Sequence, residues 1–250
     1  MEWWQILLLL AGGIACGFLN VLAGGGSMLT VPILLFLGLP GPVANGSNRV
    51  AIIAQNITAV GTFLTRARQN MRRSVTLALA TLPGTLLGAA AGTRLEGEWF
   101  DRVVAVVMLL TLGFMLFGGG GATKVDTAQR VSRRRVVIGH CAMLLVGFWG
   151  GFIQIGVGFL IMPVLHRLMG MSLLETNMHK VFIVLVLSVV ALAVFQAAGQ
   201  VWWTFGLVLA AGNALGGWLG AHFSLRVSDR VIRGFFIVIV LAFIAELLLR

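Results

Sequence analysis

The chain is written twice, and both copies are almost entirely apolar. Residues 17–38 read GFLNVLAGGGSMLTVPILLFLG, and residues 147–170 read GFWGGFIQIGVGFLIMPVLHRLMG. A polar cluster inside an apolar span follows each copy: Asn48-Arg49-Val50 in the first, His179-Lys180-Val181 in the second. Further on, Gly84-Thr85-Leu86-Leu87-Gly88 is answered by Gly212-Asn213-Ala214-Leu215-Gly216, and Asp101-Arg102-Val103 by Asp229-Arg230-Val231. Two similar halves with breaks at matching places are the signature of a transporter whose site lies between its repeats.

Hydrophobic residues make up 59% of the chain and charged residues 10%, against roughly 25% charged in a soluble domain. The chain is therefore read as an integral membrane protein. Its net charge of +10 does not point to nucleic acid, because most arginines sit in short loops between apolar spans, as the positive-inside rule describes. Cys16 and Cys141 lie in apolar segments and read as free, buried thiols. The start, MEWWQILLLL, lacks a basic leader and a clear cleavage site, so it reads as a retained first helix. The longest polar stretch, 118–135, leaves no room for a soluble domain.

Long apolar runs fall at 4–22, 44–64, 75–93, 100–117, 136–154, 177–197, 202–222 and 231–249. Each is near the roughly 20 residues that cross a bilayer as a helix. Shorter runs at 28–38 and 157–169 occupy equivalent places in the two halves, each after a glycine-rich break and each with a proline, Pro32 or Pro163. Eleven helical residues cover about 16 Å, half the hydrocarbon core. These runs are either short spans or re-entrant half-helices. The expected fold is an all-α polytopic transmembrane helical bundle: a first repeat over 1–118, a basic linker over 119–135 and a second repeat over 136–250.

Loop charge orients the halves. The 65–73 loop carries Arg66, Arg68, Arg72 and Arg73 with no acid, and 124–135 carries five cations against Asp126. Both are expected on the cytoplasmic side, as is the loop near 222–233 with Arg226, Arg230 and Arg233. The acidic 96–101 loop and the uncharged 197–201 loop are expected outside. Equivalent loops thus carry opposite charge: 65–73 answers 197–201, and 94–102 answers 222–233. The halves are expected to have inverted topology. Trp3, Trp4, Trp99, Trp202 and Trp203 all fall at the expected outer interface.

The Gly24-Gly25-Gly26-Ser27 break frees backbone amides that must be satisfied inside the membrane. A helix restarting at Ser27 would aim N–H groups and a positive dipole end into the protein, a ready anion site. Gln154, Gly156 and Gly158 hold the same place in the second copy. Close glycine-mediated helix packing is the competing reading. Arg49 and Lys180 occupy equivalent positions, each after a hydrogen-bonding residue, Asn48 or His179. Charges at membrane depth cost several kcal/mol and usually mark a pathway or a paired site; snorkelling or structural pairing is the alternative. Arg49 has no carboxylate near it in sequence, whereas Glu175 is placed to pair with Lys180. Asn20, Thr30, Ser47, Gln55, Asn56, Thr58, Thr85, Thr176, Asn177, Gln196 and Asn213 add polar groups that serve either as interhelical glue or as a polar path. His179 reads as structural more readily than as a proton carrier.

Enzyme motifs fail. GGGS lacks the Lys-Ser/Thr of a phosphate loop, and HExxH does not occur. A Ser27–His179 dyad is the one enzymatic arrangement left open. An anion channel and an assembly scaffold are the other rivals. No cofactor and no metal site are expected. The expected partners are a small anionic substrate and the lipid bilayer, with a homodimer allowed for and no nucleic acid.

The stretch GFLNVLAGGGSMLTVPILLFLGLPGPVANGSNRVAI resembles the first half of the TauE/SafE family, the sulfite-exporter or TSUP permeases. The resemblance rests on Gly17, Gly24–Gly26, Pro32, the Ala44–Arg49 cluster and Pro83-Gly84 through Gly88. The second half is similar to the family's weaker repeat through Gly147, Gly156, Gly158, Pro163 and 177–181, but Gln154 and Ile155 stand where many members have glycine or serine. The resemblance implies an inner-membrane carrier for small sulfur-containing anions such as sulfite or sulfonates. The candidate substrate-binding set is Gly24, Gly25, Gly26, Ser27, Asn48, Arg49, Gln154, Gly156, Gly158, Asn177, His179 and Lys180.

Overall fold

The computed structural model describes residues 1–23, 27–66, 71–117 and 132–223. Among these the chain forms helices and no strands. They are α1 (Trp3–Ala23), α2 (Ser27–Phe36), α3 (Gly41–Arg66), α4 (Met71–Gly92), α5 (Glu98–Phe117), α6 (Arg133–Phe152), α7 (Val157–Pro163, continued by a π-helical turn, Val164–Leu168), α8 (Leu173–Ala197) and α9 (Trp203–Phe223). The 231–249 run, the 222–233 loop beyond Phe223 and most of the 119–135 linker lie outside the described residues. Among the described residues, five helices are long and apolar enough to cross a membrane: α1, α4, α6, α8 and α9. Large apolar side chains point away from the protein, Leu87 at 67% exposure and Leu145 at 72% among them. In water such a surface would aggregate; in a bilayer it faces lipid tails. Cys141 is exposed on α6, not buried. It lies on a face of α6 turned away from the core.

The short runs turn back instead of continuing. A Cβ on Gly12 of α1 would meet Ile33 of α2. Had α2 continued in line, those residues would stand about 31 Å apart at 1.5 Å per residue. Likewise Gly139, near the start of α6, packs against Met169, beyond the end of α7. Each half therefore begins with a helical hairpin. Its long arm ends in the protein interior and its short arm returns towards the face it came from.

Backbone-to-backbone glycine contacts join the halves. Gly84, Gly88 and Gly92 on α4 meet the carbonyls of Leu144, Phe148 and Phe152 on α6, while Gly147 and Gly151 meet those of Thr81 and Thr85. Gly212, Gly216 and Gly220 on α9 do the same with Leu10, Ile14 and Phe18 on α1. Lipid tails are as apolar as leucine, so close approach, not hydrophobic burial, drives such pairing. The residue numbers rise together across both contacts, so α1 runs parallel to α9, and α6 parallel to α4. The packing is reciprocal: the first helix of each half pairs with the fourth of the other. α3 and α8 pack between these pairs.

The ends sort by charge. One face gathers the end of α2, the start of α3, the α4–α5 turn and the start of α9, and carries Glu96, Glu98 and Asp101. Ser47 on α3 accepts a hydrogen bond from the Trp202 amide there, and Gln200 donates to the Thr93 carbonyl. The opposite face carries Arg72 and Arg73 at the start of α4 and Arg133, Arg134 and Arg135 at the start of α6. Trp3, Trp4, Trp99, Trp202 and Trp203 are all exposed, at the helix starts of the acidic face.

Candidate functional site

α3 is amphipathic with its polar stripe inside. Asn45, Asn48, Arg49, Gln55 and Asn56 recur at helical spacing and are all buried, while Ile57 and Leu64 point outward. Arg49 is fully buried, eight residues, or about 12 Å, below the acidic-face end of α3. Its Nη1 donates to the Gly150 carbonyl (2.9 Å) and to Gln154 Oε1 (3.0 Å), and its Nη2 to the Gly151 carbonyl and to Asn45 Oδ1 (3.4 Å). The guanidinium lies 4.7 Å from the centre of the Phe195 ring. Arg49 thus caps the last turn of α6, the tip of the second hairpin.

Lys180 does the same for the first hairpin. Its Nζ donates to the carbonyls of Asn20 (3.3 Å) and Val21 (2.9 Å) at the end of α1, and to Asn177 Oδ1 (2.8 Å). It lies seven residues, about 10 Å, into α8 from the basic-face end. The two cations are related as their sequence positions are: each comes from the third helix of one half and holds the hairpin tip of the other. Glu175 does not pair with Lys180. It closes a capping box with Ser172 at the start of α8.

The charge balance is uneven. A helix C-terminus supplies about half a negative charge, which leaves roughly half a positive charge at each tip. Among the described residues neither Arg49 nor Lys180 has a carboxylate within ion-pairing distance; the Arg102–Glu98 pair (2.9 Å) is on the surface. Two donors are also left over. Arg49 Nε and Asn48 Nδ2 are buried with no hydrogen-bond partner among the described residues. An interior with two cations and spare donors is suited to an anion.

The two hairpin tips meet. Ser27 opens α2 at 1% exposure and donates from Oγ to the Gln154 carbonyl at 3.3 Å. Gln154 joins the halves: its Oε1 accepts from Arg49, and its Nε2 donates to Ser188 Oγ at 2.9 Å. Its φ of +56° is left-handed, a conformation costly for a residue other than glycine. Gly156 follows at φ +70°, and Gly158 is buried in the first turn of α7. Gly24, Gly25 and Gly26 lie outside the described residues. Above the tips, on the acidic face, opens a vestibule of about 860 Å³. Glu96, Glu98, Asp101 and Gln200 line it, and Arg49 and Lys180 do not.

The sequence profile of the family described as "Sulfite exporter TauE/SafE" matches residues 9–247. The chain belongs to the TauE/SafE family. Similar proteins include a probable membrane transporter protein (ORF9) of Sinorhizobium sp, 26% identical over 97% of this chain and 92% of the relative. A probable membrane transporter protein of Haemophilus influenzae is 25% identical over 91% of this chain and 88% of the relative. The probable membrane transporter protein YfcA of Escherichia coli is 23% identical over 93% of this chain and 85% of the relative. No solved structure matches the chain.

In this TauE/SafE chain the candidate residues divide into two groups about the hairpin tips. Ser27, Asn48, Arg49 and Gln154 gather at the α6 tip, and Asn177 and Lys180 at the α1 tip. His179 turns away from both: its Nδ1 is hydrogen-bonded to Ser74 Oγ at 2.7 Å, tying α8 to α4. Ser27 and His179 therefore have separate partners. Sequence reasoning missed Asn45, Phe195, Ser188 and Ser74. The first is legible as the residue one turn before Arg49. The other three carry no sequence signal, because each is set by which helices pack together.

Proposed function

We propose that the protein is a carrier for small sulfur-containing anions such as sulfite or organosulfonates, working by alternating access in the cell inner membrane. Membership of a membrane-permease family supports a transporter and speaks against an enzyme. The observation that carries the anion reading is the pair of buried cations, Arg49 and Lys180, held by neutral carbonyls and amides with no carboxylate in reach among the described residues. Burying an uncompensated charge costs several kcal/mol, and a bound anion offsets that cost.

The two halves are read as inverted repeats. Parallel packing of α1 with α9 and of α6 with α4 supports this, because it makes the first helix of each half enter from opposite faces. The basic face, with Arg72, Arg73 and Arg133–Arg135, is taken as cytoplasmic. Alternating access then amounts to the hairpins rocking against the α3–α8 pair, with Ser27 and Gln154 at the point where they touch. The sulfur chemistry rests on the family alone. The test is uptake into proteoliposomes of labelled sulfite against sulfate, thiosulfate, sulfoacetate, taurine and simple carboxylates. Saturable exchange by a sulfur oxyanion supports the reading. Ion flow far above carrier rates without counterflow would make the protein a channel.

A further inference from the structure

The fold is reciprocal, but its polarity is not. A hydrogen-bonded seam runs through the α1, α2, α3 and α9 side of the interior. Thr30 donates to Asn48 Oδ1 at 2.6 Å, and the Cys16 thiol reaches Thr30 Oγ1 at 3.7 Å. Asn213 Nδ2 reaches Cys16 Sγ at 3.8 Å and Gln55 Oε1 at 3.4 Å, and Asn20 Nδ2 donates to the same Gln55 oxygen at 3.2 Å. The seam starts beside Arg49, at Asn48, and ends at Asn20, whose carbonyl receives Lys180. All six side chains are at least nine-tenths buried. Two of their atoms have no partner among the described residues, a donor at Asn48 Nδ2 and an acceptor at Asn213 Oδ1.

The equivalent seam in the other half is hydrocarbon at three positions, and the counterpart of Asn48, His179, has its ring nitrogen bonded to Ser74. The match of Gly17 to Gly147 makes Val146 the counterpart of Cys16, and that of Pro32 to Pro163 makes Ile161 the counterpart of Thr30. By the match of Arg49 to Lys180, Gln55 is answered by Val186. Val146 and Ile161 are buried in one apolar cluster with Met143, Val157, Val184 and Leu187, and Val186 packs against it. Thr85, the counterpart of Asn213, turns its hydroxyl to the Thr81 carbonyl of its own helix at 2.9 Å. A buried polar group is kept only where it is satisfied or used. At the equivalents of Cys16, Thr30 and Gln55 one side packs hydrocarbon; the other keeps a thiol, a hydroxyl and amides, with two hydrogen-bonding atoms unmet among the described residues, between two cations.

We propose that the anion passes between the Arg49 and Lys180 stations along this seam, Asn48–Thr30–Cys16–Asn213–Gln55–Asn20, and that the mirror-related seam is a closed wedge. The inference rests on the carrier reading above. Weak, long hydrogen bonds at Cys16 and Asn213 suit a path, since they exchange for bonds to a moving oxyanion at little cost.

Cys16 is a built-in reporter. In a Cys141→Ser background, reconstituted protein would be treated during turnover with the small anionic thiol reagent 2-sulfonatoethyl methanethiosulfonate. The expected result is that Cys16 reacts, and that saturating transported anion slows the reaction about fivefold or more. Asn213→Leu and Gln55→Met, each checked for a monodisperse peak and wild-type melting, should each lower flux at least tenfold. Thr85→Val, the mirror change, should leave flux within about twofold. Folded seam variants with normal flux, or a Cys16 that stays unreacted through many turnovers, would overturn the seam. If the wild type moves none of the anions, the carrier reading fails; labelling of Cys16 still decides whether the seam admits a small solute.

Discussion

Arg49→Gln removes the charge at the α6 tip and keeps an amide that can donate to it. Its effect on anion binding follows from distance. An anion 4 Å from Arg49, at an effective dielectric of about 20, gains about 4 kcal/mol from that charge. The second cation is farther away. α3 is 26 residues long, about 39 Å, with Arg49 about 12 Å from one face and Lys180 about 10 Å from the other. They therefore stand about 17 Å apart across the membrane, and at that range Lys180 adds only about 1 kcal/mol. Loss of Arg49 should weaken anion binding at its own station by about a thousandfold, each 1.4 kcal/mol being a factor of ten. Loss of Lys180 should weaken that same station by less than tenfold. The assay is the half-saturating anion concentration for proteoliposome uptake, with thermal unfolding in detergent confirming that the variant is folded. A folded Arg49→Gln protein whose half-saturation stays within threefold of wild type would refute the reasoning, because no cation so close to a bound anion can be removed without effect.

Three further outcomes are expected. Gly88→Leu should push α4 from α6 and lower stability by about 1–3 kcal/mol or prevent folding, whereas Gly61→Ala, where an added Cβ meets nothing within 4 Å, should be neutral or stabilising; melting in detergent separates them. Glu175→Ala should cost the α8 capping box about 0.3–1.5 kcal/mol and leave flux unchanged, since Glu175 bonds Ser172 and not Lys180; a flux loss as large as that of Lys180→Gln would contradict this. In a cysteine-free background, Gly97→Cys should react with an impermeant thiol reagent from outside intact cells and Ser132→Cys only after permeabilisation; the reverse would invert the assigned orientation.

Much of the architecture was legible in the chain. The duplication places the helix breaks, and the composition requires membrane helices. The equivalence of Arg49 and Lys180 survives as geometry, each cation on the opposite hairpin tip. Their acceptors were also legible in principle, since Gly150-Gly151 and Asn20-Val21 answer one another in the two copies. What sequence could not give was pairing across the halves. Gly84, Gly88, Gly212 and Gly216 read as a repeated motif, but which helix they admit depends on where the chain returns. Period and composition leave open whether a short run continues or folds back; the contact of Gly12 with Ile33 decides it. Glu175 looked like a partner for Lys180 because five residues separate them. One and a half helical turns put the two on different faces of α8, and the local bonds to Ser172 come at lower entropic cost. Cys141 read as buried because its neighbours are apolar, but in a bilayer apolar residues also face outward.

If two buried cations hold a travelling anion, both must be needed for exchange. Counterflow tests it most directly: proteoliposomes preloaded with unlabelled sulfite, given a trace of labelled sulfite outside. Wild type should show a transient accumulation of label above equilibrium, lost in Arg49→Gln and in Lys180→Gln while both remain folded. Accumulation that persists undiminished in both folded variants would contradict it.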